Sequence, residues 1–316
     1  MAKTILITGG AGFIGSHLAK KLIALGWQVA IVDRTGTSNS RLKKDRLEKF
    51  LNPKDYQYYE LELADVAALK KIFAENKFDA ICHLAAKTNL EFDSELYNRA
   101  NIMGTLAVFE MAKEFKVPKV IFASSSMVYG NNPDLPFRER HNTDRPLSLY
   151  AATKKADETL AYTYHYLYGI SAVGLRFFTT YGPWSRPDMS ISRFTEKILA
   201  DQPITVRENG QIKRDYIYID DTVNGIVAAL EKKLDYEIIN LGSGRTIELN
   251  EIIGLVEKKL GLTAKKEFTA MQPGDLTTTW ADITKAKKLL DWRPAISLED
   301  GIAKFVDWYK DYNGIK

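Results

Sequence analysis

Cysteine is nearly absent from this 316-residue chain: Cys82 is the only one. One thiol excludes an internal disulfide and fits a reducing compartment, so a cytoplasmic setting is expected. Cys82 lies in the apolar run Ala80-Ile81-Cys82, which reads as a buried, inert thiol rather than a nucleophile. Histidine is scarce too. His17, His83, His141 and His165 stand at no metal-ligand spacing with one another or with Cys82, so no metal is expected. Charge of one sign is also in short supply: the net charge is +4 and the basic residues are scattered. No lysine/arginine run adjoins an aromatic platform, which argues against nucleic acid as a partner. No apolar run approaches the roughly 18 residues of a membrane span. Residues 1–15 pass straight from a strand pattern into a glycine loop, without the layout of a signal peptide. Internal repeats, low-complexity tracts and long linkers are missing as well.

What is present is the composition of an ordinary globular protein, 45% hydrophobic and 27% charged. Short β-branched runs at 4–8, 29–33, 56–60, 80–83, 119–123 and 172–176 read as strands. Between them, 13–25, 39–51, 66–76, 93–115 and 148–168 carry helical periodicity. Near-continuous apolar strands alternating with helices predict an α/β fold, a doubly wound parallel sheet covered on both faces. Arg41, Lys43, Lys44, Arg46 and Lys49 in the second helical region read as a solvated face. After Arg176, proline and glycine punctuate shorter elements. Helices are expected at 220–232, 247–260, 282–290 and 297–309, with strands near 203–207 and 236–241. The division predicted is a larger unit over 1–176, to which part of 220–241 returns, and a smaller α/β region over 177–316.

The first strand runs directly into Thr8-Gly9-Gly10-Ala11-Gly12-Phe13-Ile14-Gly15. Glycines at 9, 12 and 15 permit a tight turn, close approach of backbone to a pyrophosphate, and helix–strand packing. The helix that follows offers N–H groups and a positive dipole end to phosphates. Asp33 ends the second strand, where it should accept both adenosine ribose hydroxyls and repel a 2′-phosphate, favouring NAD over NADP. Arg34 beside it blurs this choice, since arginine can accept a 2′-phosphate. Further on, the chain reads Tyr150-Ala151-Ala152-Thr153-Lys154. Residues four apart share a helix face, and the lysine's charge favours the phenolate. Tyr150 is therefore a candidate base near neutral pH.

TGGAGFIG (8–15), Asp33, HLAA (83–86), Asn101-x-x-Gly104-Thr105, SSSMVYG (124–130) and YAATK follow one another in this order. With them the whole chain resembles the extended short-chain dehydrogenase/reductase family, and within it the nucleotide-sugar 4-epimerases. LRFFTTYGPWSRPDM (175–189), IKRDYIYIDD (212–221) and MQPGD (271–275) are similar to the UDP-glucuronate 4-epimerases in particular. The resemblance implies a Rossmann domain with a tightly held NAD and a C-terminal region for a UDP-sugar. It places Gly9, Gly12, Phe13, Ile14, Gly15, Asp33, Arg34, Glu62, Leu63, Leu84, Ala85, Ala86, Lys87 and Asn101 around the cofactor, with Tyr150 and Lys154. Ser125, Ser126, Thr179, Arg186, Arg214, Gln272 and Asp275 fall to the substrate. Arg186 is either the cation for a sugar carboxylate or a loop arginine. Arg214 is either a grip on the diphosphate or a structural partner of Asp215 or Asp220. The segment Asn89–Ser94 departs from the uronate pattern, which has an arginine there, and Glu62 replaces the usual aspartate.

The expected chemistry starts with Tyr150 taking a hydroxyl proton while the carbon-bound hydrogen leaves as hydride to the nicotinamide. Lys154 holds the phenolate and bonds the nicotinamide ribose; Ser125 relays the proton. Sugar 4,6-dehydratases of this family carry an Asp-Glu pair after the active-site hydroxyl, and decarboxylases a glutamate two residues on. Here Ser126 and Met127 occupy those places, so elimination is disfavoured and epimerisation at C4 is expected. Neutral or N-acetylated UDP-hexoses are the alternative substrates. A non-catalytic NAD-binding regulatory protein is the other alternative, and the intact 150–154 segment counts against it. The tyrosine-rich helix 162–168, with 93–115, resembles the family's dimer surface and predicts a homodimer.

Overall fold

The computed structural model describes residues 2–36, 40–88, 93–270 and 277–315. Strand β1 (Thr4–Thr8), helix α1 (Phe13–Ala24), β2 (Gln28–Asp33) and α2 (Ser40–Asp45) open the chain. A π-helical turn, Arg46–Phe50, extends α2 before β3 (Tyr56–Glu60), α3 (Val66–Glu75) and β4 (Ala80–His83). Helix α4 (Ser94–Tyr97) continues through a second π-helical turn, Asn98–Met103, into α5 (Gly104–Glu114). Then come β5 (Lys119–Ser125), a 3₁₀ turn at Ser126–Tyr129, α6 (Leu149–Tyr168) and β6 (Ser171–Phe177). The remainder comprises β7 (Thr179–Tyr181), α7 (Ser190–Leu199), β8 (Ile204–Arg207), β9 (Lys213–Arg214), β10 (Tyr216–Tyr218) and α8 (Ile219–Glu231). It ends with β11 (Tyr236–Leu241), β12 (Ile247–Glu248), α9 (Leu249–Leu260), β13 (Lys266–Thr269), α10 (Thr284–Leu290) and α11 (Leu298–Tyr312).

Seven strands form one sheet in the order β11-β6-β5-β4-β1-β2-β3, each neighbouring pair parallel. The period-two alternation of a strand decides which side each residue joins. Ile5, Ile7 and Cys82 enter one core with Leu18 and Leu22 of α1 and Val223 and Ile226 of α8. Leu6 and Ile81 enter the other, with Leu69 of α3, Phe109 of α5 and Ala161 of α6. Buried on both faces, such strands read as the unbroken apolar runs seen in the sequence. The strand order reverses between β1 and β4, which opens a crevice at the carboxyl edge of the sheet.

β11 pairs with β6 at the edge of the main sheet. Three further two-stranded pairs form, β7–β10, β9–β12 and β8–β13. Helix α7 has no counterpart in the sequence reading. Its buried Ile191, Phe194 and Ile198 have helical spacing, but the surrounding prolines drew attention to turns. Among the described residues no helix is long and apolar enough to cross a membrane.

Candidate active site

The glycine loop leaves β1 and turns under the end of β4. Gly9 has φ +74°, and a Cβ there would stand 2.7 Å from the backbone nitrogen of Ala85. A Cβ on Gly15 would meet the Gly9 carbonyl at 2.3 Å. Both positions thus require glycine. Helix α1 begins at Phe13 behind Gly12, with no side-chain cap, so the first-turn N–H groups of Phe13, Ile14 and Gly15 remain for an outside acceptor such as a phosphate. The segment Leu84–Lys87 lines the other side of the crevice: the Leu84 N–H donates to the Thr8 carbonyl at 3.0 Å, and the Ala85 N–H to Thr8 Oγ1 at 3.3 Å. Asn101 is fully buried. Its Oδ1 accepts the Lys87 N–H at 2.7 Å, and its Nδ2 donates to the Lys87 carbonyl and to Thr153 Oγ1. The amide therefore braces the segment after β4 against α6.

Asp33 sits at the carboxyl end of β2, beside this loop. Its Oδ2 accepts the Ala11 N–H at 2.9 Å, and its Oδ1 accepts the Arg34 N–H at 2.6 Å and Lys43 Nζ at 2.7 Å. A carboxylate offers about four acceptor sites, so three protein donors leave room for about one ribose hydroxyl rather than two. Lys43 also donates to the Arg34 carbonyl, which removes it from the solvated face the sequence suggested. Arg46 leaves that face as well. It is buried, donating Nη1 to the Ala11 carbonyl at 3.0 Å and Nη2 to the Trp184 carbonyl at 2.6 Å. Burial, with Arg186 adding to it and Asp33 opposing, brings the Arg46 pKa down to about 10. Both residues turn to partners at the sheet edge, Lys43 to Asp33 at the end of β2 and Arg46 to the Ala11 and Trp184 carbonyls, a direction that the charge pattern alone does not reveal. Arg34 pairs with Glu62 at 3.4 Å, and Glu62 also holds Arg99 at 2.9 Å. Leu63 is buried in the core beneath.

Tyr150 lies in the first turn of α6, behind the Ser148 cap, whose Oγ accepts the Ala151 N–H at 3.1 Å. Lys154, one turn on, is buried and lies 2.9 Å from Asp157 Oδ2. Burial pulls the Lys154 pKa down, but Asp157 and Tyr150 outweigh it and hold the ammonium charged. Ser125 ends β5, where its Oγ caps the 3₁₀ turn by accepting the Met127 N–H at 3.2 Å. Ser126 follows, buried, and Ser125 is in register with Phe177 of β6, two residues before Thr179. Both ends therefore reach the same sheet edge. Ser124 points away from it, donating at 2.6 Å to Glu158, which clamps Arg176 with two 2.8 Å bonds.

Arg186 grips Asp188 with Nε at 3.1 Å and Nη2 at 3.0 Å, and donates Nη1 to Thr88 Oγ1. It thereby ties the Trp184 loop to the segment after β4. Arg214 on β9 donates to the Lys213 carbonyl at 3.0 Å. The Asp215 carboxylate is not its partner, being filled by the N–H groups of Ser243, Gly244 and Ala281 and by Ser243 Oγ. Gln272 and Asp275 lie outside the described residues. Burial pushes the Cys82 thiol pKa up, so it is no nucleophile. Among the described residues no three His, Cys, Asp or Glu side chains gather as a metal site.

Sequence reasoning missed the inward roles of Lys43, Arg46 and Asp157. It also missed a buried polar chain in which Thr8 Oγ1 meets His83 Nδ1 at 2.7 Å and His83 Nε2 meets Thr105 Oγ1 at 3.0 Å.

A family model described as GDP-mannose 4,6 dehydratase matches residues 6–305. The UDP-glucuronate 4-epimerase of Thermodesulfobacterium geofontis is 43% identical over 312 residues, covering 97% of this chain and 96% of its own. UDP-glucuronic acid 4-epimerase from Bacillus cereus, solved with UDP-glucuronic acid and NAD, superimposes with a TM-score of 0.90 at 36% identity, covering 98% of this chain and 99% of that one. The UDP-glucose 4-epimerase of Thermotoga maritima, solved with UDP-glucose, also gives 0.90, at 30% identity and with 98% and 99% coverage. One backbone thus serves both sugars in these two relatives. Near full-length similarity, together with the glycine cradle and the Tyr150–Lys154 helix, makes this chain a member of the GDP-mannose 4,6 dehydratase family, within the extended short-chain dehydrogenase/reductases.

Proposed function

We propose that the chain is an NAD-dependent UDP-glucuronate 4-epimerase, interconverting UDP-glucuronate and UDP-galacturonate. The observation that carries this is that Ser125 ends β5 and Thr179 follows the end of neighbouring β6, while α6, with Tyr150 in its first turn, packs on β5 and the turn after it, beside a glycine cradle and with no acid at Ser126 or Met127. When bound, NAD supplies a reversible acceptor for the hydrogen on sugar C4. Gly9, Gly12 and Gly15 with the N-terminus of α1 hold its pyrophosphate, Asp33 takes a ribose hydroxyl, and Lys154 the nicotinamide ribose. Residues 1–176 with β11 carry the cofactor, and 177–316 the nucleotide sugar.

Tyr150 accepts the proton of the 4-hydroxyl as C4 is oxidised, directly or through Ser125, and returns it after the sugar has turned over. The family's name includes dehydration, yet elimination needs a further acid and base beside Ser125, and Ser126 and Met127 supply neither. Ser126, Thr179 and Arg186 hold the sugar carboxylate, and Arg214, with Gln272 and Asp275, the diphosphate side. The 43% identity to a UDP-glucuronate 4-epimerase supports the uronate over a neutral sugar. The exposed row Tyr162, Tyr166, Leu167 and Tyr168 on α6 supports a homodimer, and the lone buried thiol supports a cytoplasmic setting. Incubating the protein with UDP-glucuronate, UDP-glucose and UDP-N-acetylglucosamine, and resolving products by NMR, tests the reading. UDP-galacturonate should form fastest; preferential epimerisation of either other sugar would replace the substrate assignment.

A further inference from the structure

Arg46 joins the glycine loop to the loop that carries Arg186, and the chemistry above gives it no task. It opens the π-helical turn after α2 and is 1% exposed. Its Nη1 donates to the Ala11 carbonyl in the glycine loop at 3.0 Å. Its Nε and Nη2 close on the Trp184 carbonyl at 3.2 and 2.6 Å. One planar fork thus spans two segments that are far apart in sequence. Among the described residues its hydrogen bonds all go to backbone carbonyls, and no carboxylate bonds it directly. Burying a guanidinium that carbonyls alone satisfy is costly, so packing by itself gives no reason for an arginine here.

The far end of the fork is strained and enclosed. Trp184 has φ +65°, a left-handed conformation that a residue other than glycine keeps only where its surroundings impose it. The two Arg46 bonds to its carbonyl are part of what imposes it. Its indole lies against Phe50, Trp308 and Tyr312, with ring centroids 5.4, 5.4 and 5.2 Å away. The Tyr312 hydroxyl donates to Asp45, the residue before Arg46, so α11 closes over the same junction. Two residues beyond Trp184, Arg186 Nη1 donates to Thr88 Oγ1 in the segment after β4. The loop over 182–188 is therefore fastened at the Trp184 carbonyl and again at the Arg186 side chain.

We propose that Arg46 is a positioning residue: by joining the Ala11 and Trp184 carbonyls it fixes the 182–188 loop, and Arg186 with it, relative to the cofactor cradle. The proposal rests on Arg186 meeting the sugar carboxylate and deepens that assignment, since it names what sets the place of that arginine. Arg46 acts through the loop, without touching the sugar. What it supplies is geometry rather than charge. A guanidinium is a rigid planar fork with donors on separate nitrogens, whereas a lysine ammonium is a point charge on a flexible stem. Lysine at this position would keep the charge and lose the two-ended grip.

Amide hydrogen exchange of the NAD-loaded protein, read by mass spectrometry, reports on the loop with no sugar present. Arg46→Met removes fork and charge together, and Arg46→Lys removes the fork alone. In both variants the amides over 182–189 should exchange about tenfold faster or more, the effect of losing charge-assisted hydrogen bonds, while those of α9 keep the parent's rates. KM for UDP-glucuronate should rise about tenfold in both, with a smaller change in kcat. The inhibition constant of UDP, which lacks the sugar, should stay that of the parent. A merely structural role would lower the urea midpoint and leave KM where it was. Where the Met variant fails to fold, the Lys variant carries the same reading. Unchanged exchange over 182–189 in either folded variant overturns the proposal, as does faster exchange with an unchanged KM. A Lys variant that matches the parent overturns it too, because charge alone then suffices. A parent that prefers another UDP-sugar overturns the substrate assignment alone: the exchange measurement uses no sugar and still decides the tie.

Discussion

Removing the Tyr150 hydroxyl deletes the proposed base while leaving the Ser148 cap and the Thr153 bond to the Tyr150 carbonyl in place. Tyr150→Phe should therefore lower kcat by about 10²- to 10⁴-fold with the fold and NAD content unchanged, as read by turnover and by cofactor released on denaturation. Arg186 poses a different question, because Asp188 already occupies one edge of its guanidinium, through Nε and Nη2, and Thr88 takes Nη1. A sugar carboxylate must share that fork or displace Asp188. The oxidised uronate is also a β-keto acid, which loses carbon dioxide if its carboxyl bond aligns with the carbonyl π system. Arg186→Ala should raise KM for UDP-glucuronate about tenfold or more, the loss of one charge-assisted hydrogen bond, and should release UDP-pentose detectable by NMR. Unchanged KM and no pentose would return Arg186 to the role of a loop arginine.

At the level of elements, α6 is the piece that must not move, since it carries both Tyr150 and Lys154. It is pinned from below by the Glu158–Arg176 pair, by Ser124 and by Tyr236, whose hydroxyl donates to the Glu158 carbonyl at 3.1 Å. Breaking one side of a buried pair leaves an uncompensated charge, so Glu158→Gln should cost about 3–5 kcal/mol in urea unfolding. The strands of the main sheet were legible because burial on both faces leaves an unbroken apolar run. Tyr150–Lys154 and the glycine loop were legible because local geometry alone demands those residue types. Strand β13 was not: all four of its residues are exposed, so it carries no pattern. Lys43 and Arg46 were misread for the converse reason. Their partners, Asp33 and the carbonyls of Ala11 and Trp184, come from distant parts of the chain, and no local periodicity records that.

Across the whole molecule, two histidines, His83 buried and His17 partly buried, set the acid limit. Burial lowers His17 from 6.5 to about 4 and His83 from 6.5 to about 3. Depressed folded-state values mean that their stability is present above about 6.5 and is lost as pH falls toward those values. Asp215 acts in the other direction: burial raises it to about 6 from 3.8, so its contribution is present below 3.8 and lost as pH rises through about 6. Near pH 5 unfolding binds two protons at the histidines and releases one at Asp215, a net uptake of about one. Stability should therefore fall by about 1.4 kcal/mol per pH unit from these groups on acidification. Urea midpoints at pH 7 and pH 5 check this, and an equal or higher midpoint at pH 5 would refute it. Chemistry at a single carbon is the claim on which the rest depends. UDP-glucuronate carrying deuterium at C4, followed by NMR, should give UDP-galacturonate with the deuterium still at C4 and no net change in NAD. Loss of the label to water, or release of carbon dioxide as the main product, would contradict it.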